Sequence, residues 1–343
     1  MAAWWSRHGV GDLAIDLGTA NTVIYQHGRG IVLDEPFVVA IDRRSGRMIA
    51  AGRKAKEMLG RTPDHVEAVR PLKDGVVSDA EITERMLRYF VEQVGPSKIF
   101  RPRIVICMPS EVTGVERRAL EDSALRAGAR RVYIIEEAMA AALGAGLPVN
   151  ETRAHLVVDI GGGTTDVAVI SLGGIVTSRS VRVGGDEVDE AIIAHVKSEY
   201  SLLLGERSAE DIKLAVGSVF PLSEELTTRV RGRDLVTGLP KTVQVSSPDI
   251  RRAIETPVIT ITDIVRTVLD VCPPELAGDI LDNGVTLTGG GALLRGWTAR
   301  LRHELGVPVR VADDPLQAVA RGSGRCVDDF ASLSRILADV RRG

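Results

Sequence analysis

Two stretches of this chain share one plan: an apolar run ends near an aspartate, a glycine turn follows, and a second apolar run begins. Residues 13–25 read LAIDLGTANTVIY, residues 155–170 read HLVVDIGGGTTDVAVI, and Asp16 and Asp159 hold equivalent places. Apolar runs on both sides of a glycine turn predict a β-hairpin. A chain that builds the same hairpin twice is predicted to consist of two related halves.

Length and composition agree with a soluble globular protein of two domains. The chain has 343 residues, of which 44% are hydrophobic and 26% charged, and such a length exceeds a single core. The net charge of −3 provides no basic field, so a nucleic-acid partner is not expected. Three cysteines without a CxxC pair predict reduced thiols in a cytoplasmic protein, with neither a disulfide framework nor a zinc site.

The first eleven residues form a leader that contains Trp4 and Trp5 next to an arginine. Paired tryptophans beside a cation are typical of a segment that anchors at a membrane interface. The alternative is a tail that is disordered or packs on itself. No apolar run approaches the roughly 18 residues that a membrane-spanning helix needs.

Strand and helix patterns alternate along the chain, which predicts an α/β fold. One helix is predicted over residues 79–94, with Ser78 and Glu81 as its capping box. A long helix is predicted over residues 247–270, and another over residues 292–304 after a third glycine turn.

The two glycine turns have the composition of phosphate-binding loops. Glycine lets the backbone approach a ligand closely, several amides together bind anions, and threonine hydroxyls add donors. Asp16 and Asp159 cannot contact phosphate because like charges repel, but Mg²⁺ is held by one or two carboxylates together with substrate phosphates. The pattern therefore predicts a nucleoside triphosphate with Mg²⁺ between two lobes. The predicted phosphate contacts are Gly18, Thr19, Ala20, Asn21, Gly161, Gly162, Gly163 and Thr164.

The third glycine element, residues 287–296 (LTGGGALLRG), joins a strand to a helix. A helix N-terminus at this point would offer free amides to an anion; the alternative is a tight turn without a ligand. Neither GxxxxGK[ST] nor GxGxxG occurs in the chain, which disfavours a P-loop NTPase and a Rossmann dehydrogenase.

Several segments together resemble the bacterial actin family that comprises MreB and Mbl. They are IDLGTANT, RPLKDGVVSD, IIEEAMAAALGAGLPV, VVDIGGGTTDVAVISLGGIV, GERSAEDIK and LTGGGALLRG. The resemblance runs from about residue 12 to about residue 330, nearly the whole chain, and its motifs match in order and spacing.

This resemblance implies an actin-like ATPase fold, a duplicated ribonuclease H-like α/β fold with two lobes of two subdomains each and ATP·Mg²⁺ in the cleft. The first lobe would span residues 12–150, with a small subdomain at about 33–75. The second lobe would span residues 151–343, with a small subdomain at about 188–250 and a C-terminal helix that packs back on the first lobe.

The resemblance also implies roles for individual residues. Glu210 and Lys213 would lie near the nucleoside, and Glu137 would position the water that attacks ATP; the alternative for Glu137 is a favourable charge in the first turn of a helix. The turn that closes over the other side of the nucleotide comprises Gly289, Gly290, Gly291 and Ala292. The chain departs from the family pattern at Ala138, where proline is usual, at Phe37, where serine is usual, and at Asp166, where glutamate is common.

A second membrane contact is implied by the family's hydrophobic loop, which here contains Ile99 and Phe100 beside Lys98, Arg101 and Arg103. Apolar side chains among cations suit an anionic bilayer, and a filament would present many copies of a weak anchor. The alternative is that Ile99 and Phe100 pack inward.

The expected function is a weakly ATP-hydrolysing protein on the inner face of the membrane. It would form homopolymeric filaments, with paired protofilaments, that organise cell-wall synthesis with membrane-bound partners and maintain cell shape. A sugar or acid kinase of the same fold is the alternative, although no substrate-side base is identifiable. A heat-shock-type chaperone would need a peptide-binding domain, for which the sequence after the last motif leaves little room.

Overall fold

Two large β-sheets with the same strand order form the framework of the protein. The structure is a computed structural model that describes residues 11–73, 75–95, 101–333 and 335–339. One sheet has the order β19-β10-β9-β1-β2-β3 and the other β13-β12-β11-β17-β18. In each, three antiparallel strands are followed by two that run parallel to the first. The expected duplication is therefore present in the topology, and the α/β prediction is confirmed.

We call the body around the six-stranded sheet the first lobe and that around the five-stranded sheet the second lobe. The first sheet comprises β1 Leu13–Leu17, β2 Asn21–Gln26, β3 Gly30–Pro36, β9 Arg103–Met108, β10 Arg131–Glu136 and β19 Ala338–Asp339. The second comprises β11 His155–Ile160, β12 Thr165–Ser171, β13 Gly174–Val181, β17 Val285–Thr288 and β18 Val309–Val311.

Smaller sheets are inserted into both lobes. The first lobe carries β4 Val39–Asp42, β5 Met48–Ala51 and β6 Val66–Val69 in one sheet and β7 Leu72–Lys73 and β8 Val76–Val77 in another. The second carries β14 Leu202–Leu203, β15 Thr227–Asp234 and β16 Pro240–Ser246. The helices are α1 Arg53–Lys56, α2 Ala80–Val94, α3 Gly114–Arg126, α4 Glu137–Gly144, α5 Gly185–Tyr200, α6 Glu206–Val216, α7 Ser247–Ala253, α8 Glu255–Asp270, α9 Pro274–Asn283, α10 Trp297–Leu305, α11 Ala318–Asp328 and α12 Phe330–Leu333.

The predicted cap of α2 is wrong by one residue. Asp79 is the N-cap, and its carboxylate accepts a hydrogen bond from the Ile82 amide at 2.9 Å. Ser78 instead donates its hydroxyl to the Pro71 carbonyl at 2.8 Å. Both side chains are good caps, so the sequence alone did not distinguish them.

Two helix predictions need correction. The helix expected over 247–270 is split into α7 and α8 at Ile254, because Pro257 has no N–H to donate to the carbonyl four residues earlier. The helix expected over 292–304 is a 3₁₀ turn at Gly290–Leu293, and α10 then begins only at Trp297. Gly296 separates them with a φ of 94°, a left-handed conformation that glycine adopts at low cost.

A core shared by both lobes forms around α4 and α11. It joins Ala14 and Val105 of the first sheet to Val157 and Ala168 of the second through the alanines of α4. The two helices touch backbone to backbone: a Cβ built on Gly322 would overlap the Ala140 carbonyl. Every helix in the described part of the chain is too short or too polar to span a bilayer.

Candidate functional site

The two duplicated hairpins face each other across the lobes. In the first, Leu17 pairs with Thr22 around the turn; in the second, Ile160 pairs with Thr165. A Cβ built on Gly162 would lie 2.9 Å from the Ala20 Cβ, so the tips of the two hairpins are in contact distance of each other. The structure therefore brings together the turns that the sequence predicts to hold phosphate.

The hairpins differ at one register position. Asp16 lies opposite Val23, whereas Asp159 lies opposite Asp166 on the neighbouring strand. Both Asp159 and Asp166 are buried, and like charges directly opposite one another destabilise a sheet. The second hairpin therefore needs either a proton or a cation at this point.

Further backbone elements hold the turns in place. The amides of Gly185 and Asp186, at the start of α5, donate to the carbonyls of Gly161 and Gly162 at 3.1 and 2.8 Å. A Cβ on Gly184 would lie 2.6 Å from the Gly162 oxygen, so only glycine fits there without displacing the second turn. In the first lobe, Thr19 accepts a hydrogen bond from the Gly75 amide at 3.1 Å.

The third glycine turn packs on the end of β11. Gly289 has a φ of 80°, and a Cβ there would overlap the backbone of Ile160. Gly291 approaches the Ile160 side chain as closely, while Gly290 is exposed and Ala292 is buried. This turn lies beside the second hairpin, and its contact with nucleotide stays a prediction.

Four carboxyl groups with raised pKa values gather where the hairpins meet. Burial, followed by the charges of Asp159 and Asp34, raises the pKa of Asp16 to about 8. Burial raises the pKa of Asp159 to about 6 and that of Asp166 to about 7. Burial and the carboxylates of Asp166, Asp16 and Asp159 raise the pKa of Glu137 well above its usual range. None of the leading causes of these shifts is a basic side chain of the described residues.

This arrangement fits a magnesium ion that keeps its water shell. Asp159 Oδ1 and Asp166 Oδ2 are buried, and no donor of the described residues reaches either atom in good hydrogen-bond geometry. Each is an acceptor that a hydrated cation would satisfy. Among the described residues, no three acids, histidines or cysteines are placed to coordinate one metal directly. Mg²⁺ retains several waters and takes few protein ligands, so Asp16 and Asp159 would hold it through water.

Glu137 begins α4 and faces a cavity that has room for one water molecule. The residue is 9% exposed, and the cavity beside it has a volume of about 10 Å³, close to the minimum that a water needs. Leu17, Gly75 and Pro109 line its other sides. The geometry therefore places a water-sized space against the acid that the family resemblance selects for hydrolysis.

Glu210 and Lys213 lie on α6, and both have protein partners. The Lys213 ammonium donates to Asp189 at 2.8 Å and to the Gly185 carbonyl at 3.1 Å. Glu210 forms an ion pair with Lys56 of the first lobe at 3.0 Å. Arg70, also of the first lobe, pairs with Asp186 at 3.3 Å and Glu206 at 3.5 Å. These pairs bridge the two inserted subdomains, and the nucleoside contacts of Glu210 and Lys213 stay a prediction.

Replacing Lys56 with glutamate is expected to speed nucleotide dissociation by about threefold to tenfold. The change removes the ion pair between the two subdomains and places a second negative charge opposite Glu210. Because both partners are one-third exposed, the closed arrangement is expected to lose about 1 kcal/mol of free energy. Stopped-flow release of a fluorescent ATP analogue measures the rate.

The double variant Lys56→Glu/Glu210→Lys separates two roles of Glu210. If Glu210 acts only as a bridge, the exchanged charges restore slow release; if it also contacts the nucleoside, release stays fast. Arg43→Glu is the matched control, because Arg43 pairs with Glu67 inside one subdomain. An unchanged rate in Lys56→Glu would contradict the bridging role.

The predicted membrane contacts are not placed by the structure. Trp4, Trp5, Ile99 and Phe100 lie outside the described residues. Arg103, one of the cations beside the loop, is engaged elsewhere: its guanidinium Nε and its amide each donate to Asp12 at 2.8 Å. Its side chain also lies over the Phe330 ring at 4.4 Å. Arg103 therefore belongs to an ion pair within the fold and is not available to lipid. Arg101 is exposed.

Sequence reasoning missed Lys56, Arg70 and Gly75. Lys56 lies in a segment without a motif, and Arg70 opens a quoted family segment, but the partners of both are more than 100 residues away. Gly75 belongs to a quoted family segment, but nothing local indicates that it supports Thr19. Gly184 could have been noticed, because it is the first residue of a glycine pair that opens a helix.

Comparison with known proteins agrees with the geometry. The MreB/Mbl protein family model matches residues 10–335. The cell shape-determining protein MreB of Escherichia coli is 53% identical over 323 residues, covering 92% of this chain and 93% of that protein. The cell shape-determining protein Mbl of Bacillus subtilis is 48% identical, covering 94% and 98%. A crystal structure of MreB 5 of Spiroplasma citri bound to AMPPNP superposes with a TM-score of 0.90 at 39% identity, covering 94% of this chain and 97% of that one.

Proposed function

This chain belongs to the MreB/Mbl family and has its actin-like α/β fold, and from that membership we propose that it forms ATP-dependent filaments that determine cell shape. The observation that carries the proposal is the pair of glycine hairpins in contact across two lobes, beside four acids whose pKa values burial raises. A related protein with this fold is bound to AMPPNP, which supports a nucleoside triphosphate as the ligand here.

In this proposal each group of residues has one task. The turns at 18–21 and 161–164 hold phosphates with backbone amides and threonine hydroxyls. Asp16 and Asp159 orient a hydrated Mg²⁺, whose chemistry is to neutralise the charge that develops on the phosphates. Glu137 lies beside the water-sized cavity and is placed to hold the attacking water there and, when its carboxyl is ionised, to accept a proton from that water.

Assembly and hydrolysis can be separated by one variant. Wild-type protein with Mg·ATP is expected to form filaments by electron microscopy and to pellet on centrifugation, with slow phosphate release. Glu137→Gln is expected to form filaments to the same extent as wild type, because the phosphate contacts remain. It is expected to release phosphate about a hundredfold more slowly than wild type, because the base is lost. A folded wild-type protein that never pellets would contradict the filament role.

The kinase of the same fold is disfavoured by the family membership. It would show ADP release that depends on an added sugar or acid and far exceeds the ATPase background. That outcome, without filaments, would replace the present proposal.

We further propose that the filaments lie on the inner face of the membrane and organise the cell-wall synthesis machinery. Two candidate anchors support this: Trp4 and Trp5 in the leader, and Ile99 and Phe100 in the loop. Each side chain contributes only about 1.5–3 kcal/mol of burial, so polymerisation is expected to convert weak contacts into firm attachment.

Vesicle co-sedimentation tests the anchors. Trp4→Ala/Trp5→Ala and Ile99→Ala/Phe100→Ala are each expected to reduce binding of filaments to anionic vesicles by tenfold or more, as about two buried side chains are lost. The exposed Leu172→Ala, outside both anchors, is the matched control. Unchanged binding in both double variants would contradict the membrane proposal.

A further inference from the structure

The cavity beside Glu137, which we call the water cavity, is lined by the first lobe. The described residues around it come from the end of β1, the β7–β8 hairpin, the end of β9, helix α3 and the start of α4. Its volume of about 10 Å³ is close to the minimum that a water molecule needs. A small displacement of any wall therefore decides whether a water is held against Glu137.

Two inner walls of the water cavity are in contact with the second lobe. A Cβ built on Gly75, which lines the cavity, would lie 2.9 Å from the Thr164 Cγ2 atom. Ser110 follows a proline of the cavity wall, and its amide donates to Asp166 Oδ1 at 3.0 Å. The shape of the cavity therefore depends on how closely the second lobe approaches the first.

A third contact with the second lobe is an ion pair at the outer wall. The Arg182 guanidinium donates to Glu116 Oε1 at 3.3 Å, and the two side chains are 57% and 23% exposed. The other oxygen, Oε2, accepts from the amide and the hydroxyl of Thr113, each at 2.8 Å. Glu116 thus completes the capping box of α3, lines the water cavity and receives a side chain of the second lobe.

Arg182 is joined to the second phosphate turn by a short stretch of backbone. The carbonyl of the next residue, Val183, accepts from the Thr165 hydroxyl at 2.8 Å. Gly184 follows, and it lies so close to the Gly162 oxygen that a Cβ would be 2.6 Å away. A ligand that fixes this turn is therefore expected to fix Arg182 as well.

We propose that the Arg182–Glu116 ion pair positions the attacking water. With the lobes closed, the pair holds the outer wall of the water cavity and confines the water against Glu137. When the lobes separate, the wall relaxes and the water is no longer held. Both residues act through the cavity and Glu137 and not on the nucleotide, so they are positioning residues. This role rests on the proposed ATP-hydrolysing function and makes hydrolysis depend on lobe closure.

The pair matters through geometry more than through stability. A partly exposed ion pair contributes little to the stability of a protein, so variants at Arg182 are expected to fold. A displacement of about 1 Å, in contrast, can slow a reaction about a hundredfold. The loss of one of several contacts at the wall is expected to have a smaller effect of the same kind.

Phosphate release measured over a range of Mg·ATP concentrations tests the role. Arg182→Glu is expected to lower kcat about fivefold to tenfold and Glu116→Gln about threefold, with KM within about twofold, because only the water is displaced. Glutamine still accepts the hydrogen bonds of the capping box, so Glu116→Gln removes the charge alone. Arg182→Lys keeps the ion pair and is expected to stay within about twofold of wild type. Arg179→Glu, at an exposed position of β13, is the matched control.

A second variant tests the water cavity without altering the ion pair. Val77→Ile adds one methyl group to the cavity lining and is expected to lower kcat at least about tenfold, because too little volume remains for a water. Titration with a fluorescent ATP analogue and the critical concentration for assembly are measured for every variant, and both are expected to stay within about twofold of wild type. Thermal unfolding of the nucleotide-free protein confirms that each variant is folded.

Each outcome decides the proposal. A lower kcat at unchanged nucleotide affinity and critical concentration, with recovery in Arg182→Lys, supports it. Wild-type kcat in Arg182→Glu and Glu116→Gln, or in Val77→Ile, overturns it and leaves the filament function intact. Equal losses of affinity, assembly and kcat would make the pair a general link between the lobes and overturn the positioning role. A folded wild type that neither binds Mg·ATP nor assembles overturns the proposed function itself, and this role with it.

Discussion

Replacing Gly322 with alanine is expected to lower the free energy of unfolding by about 3–5 kcal/mol. The added methyl group would overlap the backbone carbonyl of Ala140, and a carbonyl within a helix cannot move aside as a flexible side chain does. Helix α11 must therefore separate from α4, which opens the core shared by both lobes. Urea denaturation measures the loss.

Gly278 provides the matched control, because it is also a helical glycine. A Cβ at Gly278 in α9 would have no atom within 4 Å, so Gly278→Ala is expected to leave stability unchanged or raise it by up to about 1 kcal/mol. If the free energy of unfolding of Gly322→Ala lies within about 1 kcal/mol of that of wild type, the backbone contact between α4 and α11 is not as close as described.

Asp16→Asn is expected to stabilise the nucleotide-free protein and to weaken its binding of Mg·ATP. Asp16 is partly buried and its pKa is raised to about 8, so ionisation is costly in the folded state. The amide removes that cost, worth about 1–3 kcal/mol at pH 8. Loss of the carboxylate that orients the hydrated ion is expected to weaken Mg·ATP binding by about tenfold to a hundredfold.

The gain in stability has a defined pH dependence. Below the unfolded-state pKa of 3.8 the carboxyl is protonated in both states and costs nothing. Between that value and about 8 the unfolded chain binds fewer protons than the folded one, so wild-type stability falls as the pH rises. The advantage of Asp16→Asn should therefore grow from pH 5 to pH 8 and then level off.

Thermal unfolding at several pH values, with and without Mg·ATP, measures both effects. Asp64→Asn makes the same chemical change at an exposed position before β6, away from the causes of the Asp16 shift, and is expected to stay within about 0.5 kcal/mol of wild type. An Asp16→Asn protein that is less stable than wild type at pH 8 without ligand would contradict the inference that ionisation of Asp16 destabilises the folded protein.

Local pattern was sufficient to predict the framework of the site. The hairpins around Asp16 and Asp159 follow from glycine turns between apolar runs. That the two hairpins lie close together was predicted only from the argument that two similar turns bind one ligand. The contact of Gly162 with Ala20 agrees with that argument.

Long-range electrostatics and close backbone packing could not be predicted in the same way. Lys56 and Glu210 are ordinary surface residues in sequence, and only the fold places them 3.0 Å apart. The break at Ile254 was indicated in the sequence by Pro257. The helical spacing of apolar residues continues across that point, however, and led to the prediction of a single helix. Gly322 gives no local sign that a carbonyl of another helix occupies the space of its side chain.

Asp166 of the second hairpin has no acidic counterpart in the first hairpin, and this makes the two sides of the cleft different. Val23 occupies the position in the first hairpin that Asp166 occupies in the second, so the pseudo-twofold relation between the lobes ends there. A perfectly symmetric clamp would not distinguish the two ends of its ligand. Here the additional buried acid lies on one side only, next to Glu137. Under the proposed function, this asymmetry matches a nucleoside triphosphate, whose two ends are chemically different.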